Sequence, residues 1–214
     1  MKRDRTRLIL AVLTAALLWF YMFSPWTRGA PNFWLIMSGA AVILTSLALA
    51  FSTDLGRLRP VEKPLWQVLG GIALAFALWG IFWIGDKVSA LLFDFARPEV
   101  DAVYAMKTGL SPALIAVLLL CLIGPAEEFF WRGYVQHTLE RLCGGRNPKD
   151  RALLITVAVY ALVHVWSCNF MLVMAALVAG LVWGLVYRFC PKALPALIIS
   201  HALWDALVFV LLPI

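Results

Sequence analysis

Charged side chains are scarce in this sequence. Asp, Glu, Lys and Arg make up 14% of its 214 residues, whereas 63% are hydrophobic and ten are Trp. A soluble globule of this size and composition would leave a large apolar area in water, so an ordinary soluble domain is excluded. The composition predicts an all-α fold, a polytopic helical bundle in a membrane.

Cysteines are also few, and they form no paired motif. The four cysteines are dispersed without a C-x-x-C spacing, at Cys121, Cys143, Cys168 and Cys190. The loop charges described below place Cys143 and Cys190 at the cytoplasmic face, where thiols stay reduced. The sequence therefore predicts no disulfide and no cysteine metal cluster.

Long apolar runs recur along the whole chain. About seven of them approach or exceed the roughly 20 residues that cross about 30 Å of hydrocarbon. They cover residues 8–23, 33–51, 66–85, 112–142, 152–167, 170–188 and 193–212. No small-residue cleavage site follows the first run, so we interpret it as a signal anchor.

The ionisable residues inside these runs divide the chain into two parts. Residues 1–110 contain the first three spans and a polar segment, 86–110, that is predicted to be an interfacial helix and loop on the outer side. Residues 111–214 contain the intramembrane ionisable groups that could carry chemistry. We expect the second part to form the functional core.

Basic residues in the loops predict the orientation in the membrane. Thirteen Lys and Arg side chains fall in alternate connections, and three fall in the others. The thirteen are Lys2, Arg3, Arg5, Arg7, Arg57, Arg59, Lys63, Arg141, Arg146, Lys149, Arg151, Arg188 and Lys192, and the three are Arg28, Arg97 and Lys107. The N-terminus is thus predicted to be cytoplasmic and the C-terminus outside. The net charge of +6 is explained by basic loops near anionic headgroups, and no nucleic-acid partner is predicted.

The fourth span is long and is interrupted near its middle. Ser111 is a predicted N-cap, and Pro112 occupies the first helical position. Gly124-Pro125 is expected to kink the helix, because Pro125 lacks an N–H and its ring crowds the preceding turn. Such irregular backbone is tolerated in a membrane where it lines a cavity, here beside Glu127.

Three ionisable residues follow this interruption. Glu128 and Arg132 are spaced i, i+4, so they meet on one helix face and are predicted to form an ion pair. Glu127 is turned by about 100° from that face and remains free. The two glutamates are therefore predicted to have different roles.

Two further polar pairs have the same spacing, each in an otherwise apolar span. Tyr160 precedes His164 by one helical turn, and His201 precedes Asp205. Each pair has a simpler explanation, a hydrogen bond that docks one helix on another. Glu127, His164 and His201 come from three spans at similar predicted depth, however, which favours a shared site. His137 lies about 80° from Glu127 around the same helix and is interpreted as an interfacial residue outside that site.

Several known protease chemistries lack their residues here. The chain has no G-x-S-G for a serine nucleophile and no H-E-x-x-H for zinc, and only Asp205 is well placed as an intramembrane aspartate. A carboxylate that takes a proton from water remains, with imidazoles that assist and stabilise an oxyanion. The residues indicate a hydrolase without a covalent intermediate.

Three motifs in order resemble those of one family. Glu127-Glu128-x-x-x-Arg132, Tyr160-x-x-x-His164 and His201-x-x-x-Asp205 are similar to the motifs of the CAAX protease and bacteriocin-processing (CPBP, or Abi) intramembrane proteases, which are related to the Rce1-type prenyl endopeptidases. The resemblance covers about residues 110–212. The family usually has Phe where Tyr160 stands, and its characterised eukaryotic-like members have Asn where Asp205 stands.

The resemblance implies a role for each of these residues. Glu127 and His164 would activate the water, while His201 and Asp205 would hold the carbonyl oxygen of the scissile bond. Glu128, Arg132 and Tyr160 would support the site. An ionised Asp205 can only accept hydrogen bonds, so we expect it to stay charged and to orient His201 as the donor.

A glutamic mechanism needs no cofactor, and no metal is predicted. The family has nevertheless been described as metal-dependent, and Glu127, His164 and His201 are acceptable zinc ligands. A zinc-dependent protease with the same residues therefore remains an alternative.

The resemblance implies a membrane-associated protein or peptide as substrate, cleaved at a C-terminal tail or a leader segment, and the lipid bilayer as surroundings. A prokaryotic plasma membrane is the expected location. Two alternatives from other classes stay open, a small transporter and a non-catalytic immunity protein, since a transporter also places charges in broken helices at mid-membrane.

Overall fold

The computed structural model describes residues 2–27, 32–52 and 61–214, and these residues form helices and connecting turns with no strand among them. The longer helices are α1 (Lys2–Phe23), α2 (Phe33–Phe51), α3 (Pro64–Leu92), α4 (Ala96–Tyr104), α5 (Pro112–Leu142), α6 (Pro148–Ser167), α7 (Phe170–Phe189) and α8 (Pro191–Leu211). All of these except α4 are long and apolar enough to cross a bilayer, which makes seven in the described part of the chain. The predicted all-α membrane bundle is confirmed.

The bounds of α2 and α5 match the predicted runs, and α3 is longer than predicted. The polar residues Asp86 and Lys87 were assigned to an outer segment, but the helix continues through them to Leu92. Asp86 accepts hydrogen bonds from Lys87 in the same helix and from Arg97 in α4, each at 3.0 Å, so its charge is paired. The remainder of the predicted segment contains the short helix α4 and a 3₁₀ turn at Ala105–Lys107.

The fourth span is irregular on both sides of Gly124-Pro125, the position of the predicted kink, and not at that position itself. The chain stays helical across Gly124-Pro125, with π-helical stretches at Leu119–Ile123 and Phe129–Gln136 on either side. Single π-helical turns inside α-helices frequently occur at functional sites. Glu127 and Glu128 lie in the α-helical turn between the two stretches.

Helix α5 lies at the centre of the bundle, in contact with α2, α6, α7 and α8. Small residues allow the close approaches. A Cβ added to Gly124 would lie 2.6 Å from the Cα of Ala202 in α8, and one added to Gly71 in α3 would lie 2.7 Å from the carbonyl oxygen of Ala196. Such small-residue contacts are how membrane helices bring their backbones together.

Ion pairs join helix ends where the loop charges predict the cytoplasmic face. Lys192 contacts Glu62 at 3.0 Å, and Arg188 pairs with Asp150. Three of the basic residues counted for the orientation, Arg28, Arg57 and Arg59, lie outside the described residues.

Candidate active site

One cavity brings together the polar residues that the three motifs predicted. Its volume is about 120 Å³, and its wall includes Glu127 from α5, Tyr160 and His164 from α6, and His201 and Asp205 from α8. The remainder of the wall is almost entirely apolar. His137, which was predicted to lie outside the site, is not part of this wall, and its Nδ1 lies 3.2 Å from the hydroxyl of Tyr187.

Glu127 is buried and has one hydrogen bond from a neighbouring helix. The hydroxyl of Tyr160 donates to its Oε2 at 3.1 Å. Glu127 makes no ion pair with Arg132, whose partner is Glu128. Its carboxyl group faces the cavity, as a base that takes a proton from water must.

Glu128 forms the expected pair with Arg132 and a second bond that the sequence did not predict. Its Oε1 accepts from the guanidinium of Arg132 at 2.6 Å and from Nδ1 of His201 at 3.0 Å. All three side chains are at most 3% exposed. Glu128 therefore links the motif in α5 to the motif in α8.

Arg132 is held by α7 as well as by Glu128. Its second guanidinium nitrogen donates to the carbonyl oxygen of Gly180 at 3.0 Å. Its guanidinium carbon lies 5.1 Å from the ring centre of Tyr160 and 5.4 Å from that of Trp183. The charge is thus surrounded by a carboxylate, a carbonyl and two aromatic faces, which together compensate its burial.

Trp183 is a site residue that sequence reasoning missed. Its indole stacks on the imidazole of His201 with ring centres 4.0 Å apart and planes 18° apart, and its N–H donates to the hydroxyl of Ser200 at 3.1 Å. Tryptophan is common in this sequence, so its presence gave no signal. Small residues one turn apart, Gly180 and Gly184, mark the same face of α7 and could have indicated a close contact there.

Asp205 lies on the cavity side of His201. Its Oδ2 is 3.5 Å from Nε2 of His201, longer than a hydrogen bond, and its side chain is 13% exposed. The ring of His201 is thus oriented by the hydrogen bond that its Nδ1 donates to Glu128, while Asp205 contributes a nearby charge.

His164 lies in the turn at the end of α6 with both ring nitrogens engaged. Its Nδ1 is 2.7 Å from the carbonyl oxygen of Tyr160, and its Nε2 accepts from the indole N–H of Trp19 at 3.0 Å. Trp19 belongs to α1, and its role was not predicted. A tryptophan in the first apolar run is typical of any membrane helix, so the sequence carried no signal for this contact.

Zinc, which the sequence left open, does not fit these side chains as they stand. A ligating histidine needs a free lone pair, and the lone pair of His164 at Nε2 is occupied by Trp19. In the part of the chain that the structure describes, no group of three His, Cys, Asp or Glu side chains is arranged to hold a metal ion.

A larger apolar cavity adjoins the first one. Its volume is about 350 Å³, and it lies between α3, α4, α7 and the end of α8. Both cavities share five wall residues, namely Val103, Leu172, Ala175, Trp204 and Phe209. The polar site therefore borders a space that suits an apolar group.

The charges around α4 hold this helix against the bundle. The pKa of Arg97 lies above its usual value, first because of its hydrogen bond to Asp101 at 2.8 Å and also because of the charge of Asp86. Burial raises the pKa of Tyr104 and lowers that of Lys107. Glu99 accepts the backbone N–H of Met171 at 2.8 Å, which fixes α4 at the start of α7.

Comparison with known proteins agrees with the motifs. Residues 109–207 match the sequence model of the family described as type II CAAX prenyl endopeptidase Rce1-like. No curated protein and no solved structure matches the chain significantly. The matched segment contains all the motif residues that line the cavity and the Glu128–Arg132 pair beside it. Residues 109–207 of this multi-pass membrane protein are therefore similar in sequence to the Rce1-like family of type II CAAX prenyl endopeptidases.

Proposed function

We propose that this protein is an intramembrane endopeptidase of glutamic type, which hydrolyses a peptide bond of a membrane-associated substrate. One observation carries the proposal: a single, otherwise apolar cavity has Glu127, Tyr160, His164, His201 and Asp205 in its wall. Hydrogen-bonding groups held in a cavity of low polarity are what electrostatic catalysis requires.

In the proposed reaction Glu127 takes a proton from a water molecule, assisted by His164. The water oxygen attacks the carbonyl carbon of the scissile bond, and the negative charge on the carbonyl oxygen is stabilised by the Nε2–H of a protonated His201, because the Nδ1–H is already donated to Glu128. The C–N bond then breaks, and the proton held by Glu127 passes to the leaving amine. Glu128 holds the ring of His201, because it accepts the hydrogen bond from Nδ1 and leaves Nε2 directed to the cavity side.

The larger cavity supports an apolar substrate. An engineered protein cavity of about 150 Å³ holds one benzene molecule. The larger cavity, at about 350 Å³, therefore has room for an apolar group bigger than one aromatic ring. We infer that the apolar part of a tail or leader segment occupies this space while the scissile bond lies beside Glu127. The basic loops support an N-terminus in the cytoplasm and a C-terminus outside.

The test is cleavage of synthetic apolar tail peptides by the purified protein in lipid nanodiscs. Glu127→Gln keeps the shape of the side chain and removes the base, so we expect folded protein with no turnover. His137→Ala, which lies outside the cavity, is the negative control and should cleave at the wild-type rate. Retained cleavage by Glu127→Gln would refute the mechanism.

The same assay separates the glutamic mechanism from the zinc alternative. A metal-free reaction is expected to survive exhaustive chelation, and metal analysis of active protein should find well below one equivalent. Activity that is lost on chelation and restored by zinc would favour a metalloprotease built on the same residues.

A further inference from the structure

The first helix of the bundle contacts the candidate site through one side chain. Trp19 in α1 lies outside the family segment 109–207, and its indole N–H donates to Nε2 of His164 at 3.0 Å. Trp19 is 1% exposed, and its ring packs edge-on against Trp131 and against the ring of His164. The contact is thus made by a residue that is buried in the core.

The chemistry of the two partners defines the protonation of His164. A carbonyl oxygen only accepts, so Nδ1 of His164 must carry the proton that is directed at Tyr160. An indole N–H only donates, so Nε2 must present a lone pair to Trp19. Both partners therefore select the same neutral tautomer, with the proton on Nδ1.

This arrangement leaves His164 no nitrogen for the water of the proposed reaction. Nδ1 is committed to the backbone of its own helix, and the one lone pair of Nε2 is taken by Trp19. We propose that Trp19 is a positioning residue that fixes the tautomer of His164 and occupies Nε2 until water replaces the indole. This inference rests on the proposed function for the role of His164, and α1 becomes part of the machinery of the site.

Replacement of the indole by water requires a movement of α1 or of the Trp19 side chain. Phe23, one turn later on α1, also packs on His164, with ring centres 5.7 Å apart, and it lines the cavity together with His164. Entry of a substrate into this cavity therefore pushes against the same helix that carries Trp19. Substrate binding and release of Nε2 are coupled through α1.

The hydrogen bond itself is measurable in the wild-type protein without any assay of activity. The chain has three histidines, so a ¹⁵N-labelled sample in nanodiscs gives few imidazole signals, which His137→Gln helps to assign. We expect a neutral His164 with the proton on Nδ1 and a scalar coupling across the hydrogen bond between the indole nitrogen of Trp19 and Nε2. Absence of this coupling, or a proton on Nε2, would overturn the proposal.

Trp19→Phe removes the N–H and keeps an aromatic ring. We expect the Nε2 signal of His164 to move to that of a nitrogen exposed to water. The matched control is Phe23→Leu, which changes an aromatic contact of His164 without changing the hydrogen bond, and its Nε2 signal should stay in place.

The kcat of Trp19→Phe should be about two- to tenfold higher than that of wild type. In this variant water no longer has to displace the indole N–H from Nε2 of His164, which saves the free energy of one hydrogen bond. If Trp19→Phe is folded and its kcat is lower than that of wild type, the indole supports the reaction and does not block Nε2 of His164. This result would overturn the proposal. If wild-type protein cleaves no peptide, the proposed function fails, and the coupling and the Nε2 signal still decide whether Trp19 controls His164.

Discussion

At the scale of single residues, Glu128 holds the buried charges of the site together. One of its carboxylate oxygens accepts from Arg132 in the same helix and from His201 in α8. The sequence predicted the first bond from the i, i+4 spacing. Through the second bond, the same carboxylate that compensates the buried charge of Arg132 also orients the ring of His201.

Glu128→Gln is expected to destabilise the protein by about 3 kcal/mol, because it leaves Arg132 buried without its counter-charge. Thermal unfolding in nanodiscs, or the yield of folded protein, measures the effect. The matched control is Glu62→Gln, which removes an exposed carboxylate from its pair with Lys192 and should cost less than about 1 kcal/mol. Equal stability of the two variants would contradict the assigned role of Glu128.

Asp205→Asn tests the charge beside Nε2 of His201. Glu128 lies at Nδ1 of His201 and Asp205 lies near Nε2. The negative charges of these two carboxylates favour the protonated imidazole, which can donate to the oxyanion. Removal of one charge is expected to lower kcat on the order of a hundredfold, with little change in KM, as loss of an oxyanion donor does elsewhere. A variant with full activity and an unchanged pH-rate profile would show that Asp205 is dispensable to His201.

At the scale of helices, α3 shows how much close packing depends on glycine. Gly71 faces α8 so closely that an added Cβ would lie 2.7 Å from the carbonyl oxygen of Ala196 and 2.8 Å from the Cβ of Ile199. The adjacent Gly70 has no atom within 4 Å of an added Cβ. Neighbouring glycines in one helix therefore have opposite packing requirements.

Gly71→Ala is expected to destabilise the bundle by about 1–3 kcal/mol, the usual cost of overpacking. Gly70→Ala should be neutral or slightly stabilising, because Ala is the better helix former and meets nothing. Thermal unfolding of the two variants side by side measures the difference. Loss of stability in Gly70→Ala alone would mean that the faces of α3 are assigned the wrong way round.

Gly85 in the same helix tests the proposed substrate space. It lines the larger cavity, and an added Cβ meets no atom within 4 Å, so Gly85→Phe can fill the cavity without a backbone clash. We expect kcat/KM for the cleaved tail peptide to fall about tenfold or more, with an unchanged melting temperature. Gly80→Phe is the control, since Gly80 has the same open space and lies outside the cavity wall. Equal activity of both variants would contradict the assignment of this cavity to the substrate.

At the scale of the whole molecule, the arrangement in the membrane follows from the alternation of seven apolar helices. Cys168 lies between α6 and α7, Cys190 lies between α7 and α8, and both are exposed. They therefore mark opposite ends of α7.

Native cysteines give a direct test of the predicted orientation. In intact cells, a membrane-impermeant maleimide should label a variant that keeps only Cys168 and should leave a variant that keeps only Cys190 unlabelled. Detergent should make Cys190 reactive, which controls for its accessibility. The reverse pattern in intact cells would show that the N-terminus is outside.

Properties that depend on local sequence were predicted correctly. Hydropathy along the chain determined the seven spans and the all-α class, because each apolar run must satisfy its backbone within one helix in lipid. The i, i+4 spacing determined the pair of Glu128 with Arg132, because one helical turn brings those side chains together. The order of the three motifs indicated the family that residues 109–207 match.

Contacts between helices were decided only by the tertiary structure. The bond of Glu128 to His201, the stacking of Trp183 on that ring and the bond of Trp19 to His164 join residues far apart in the chain. Each depends on the rotation and register of two helices, which packing sets and which the spacing within either helix does not encode. The length of α3 has a similar cause, because Asp86 accepts a hydrogen bond from Arg97 of the following helix, α4, which the spacing within α3 does not encode.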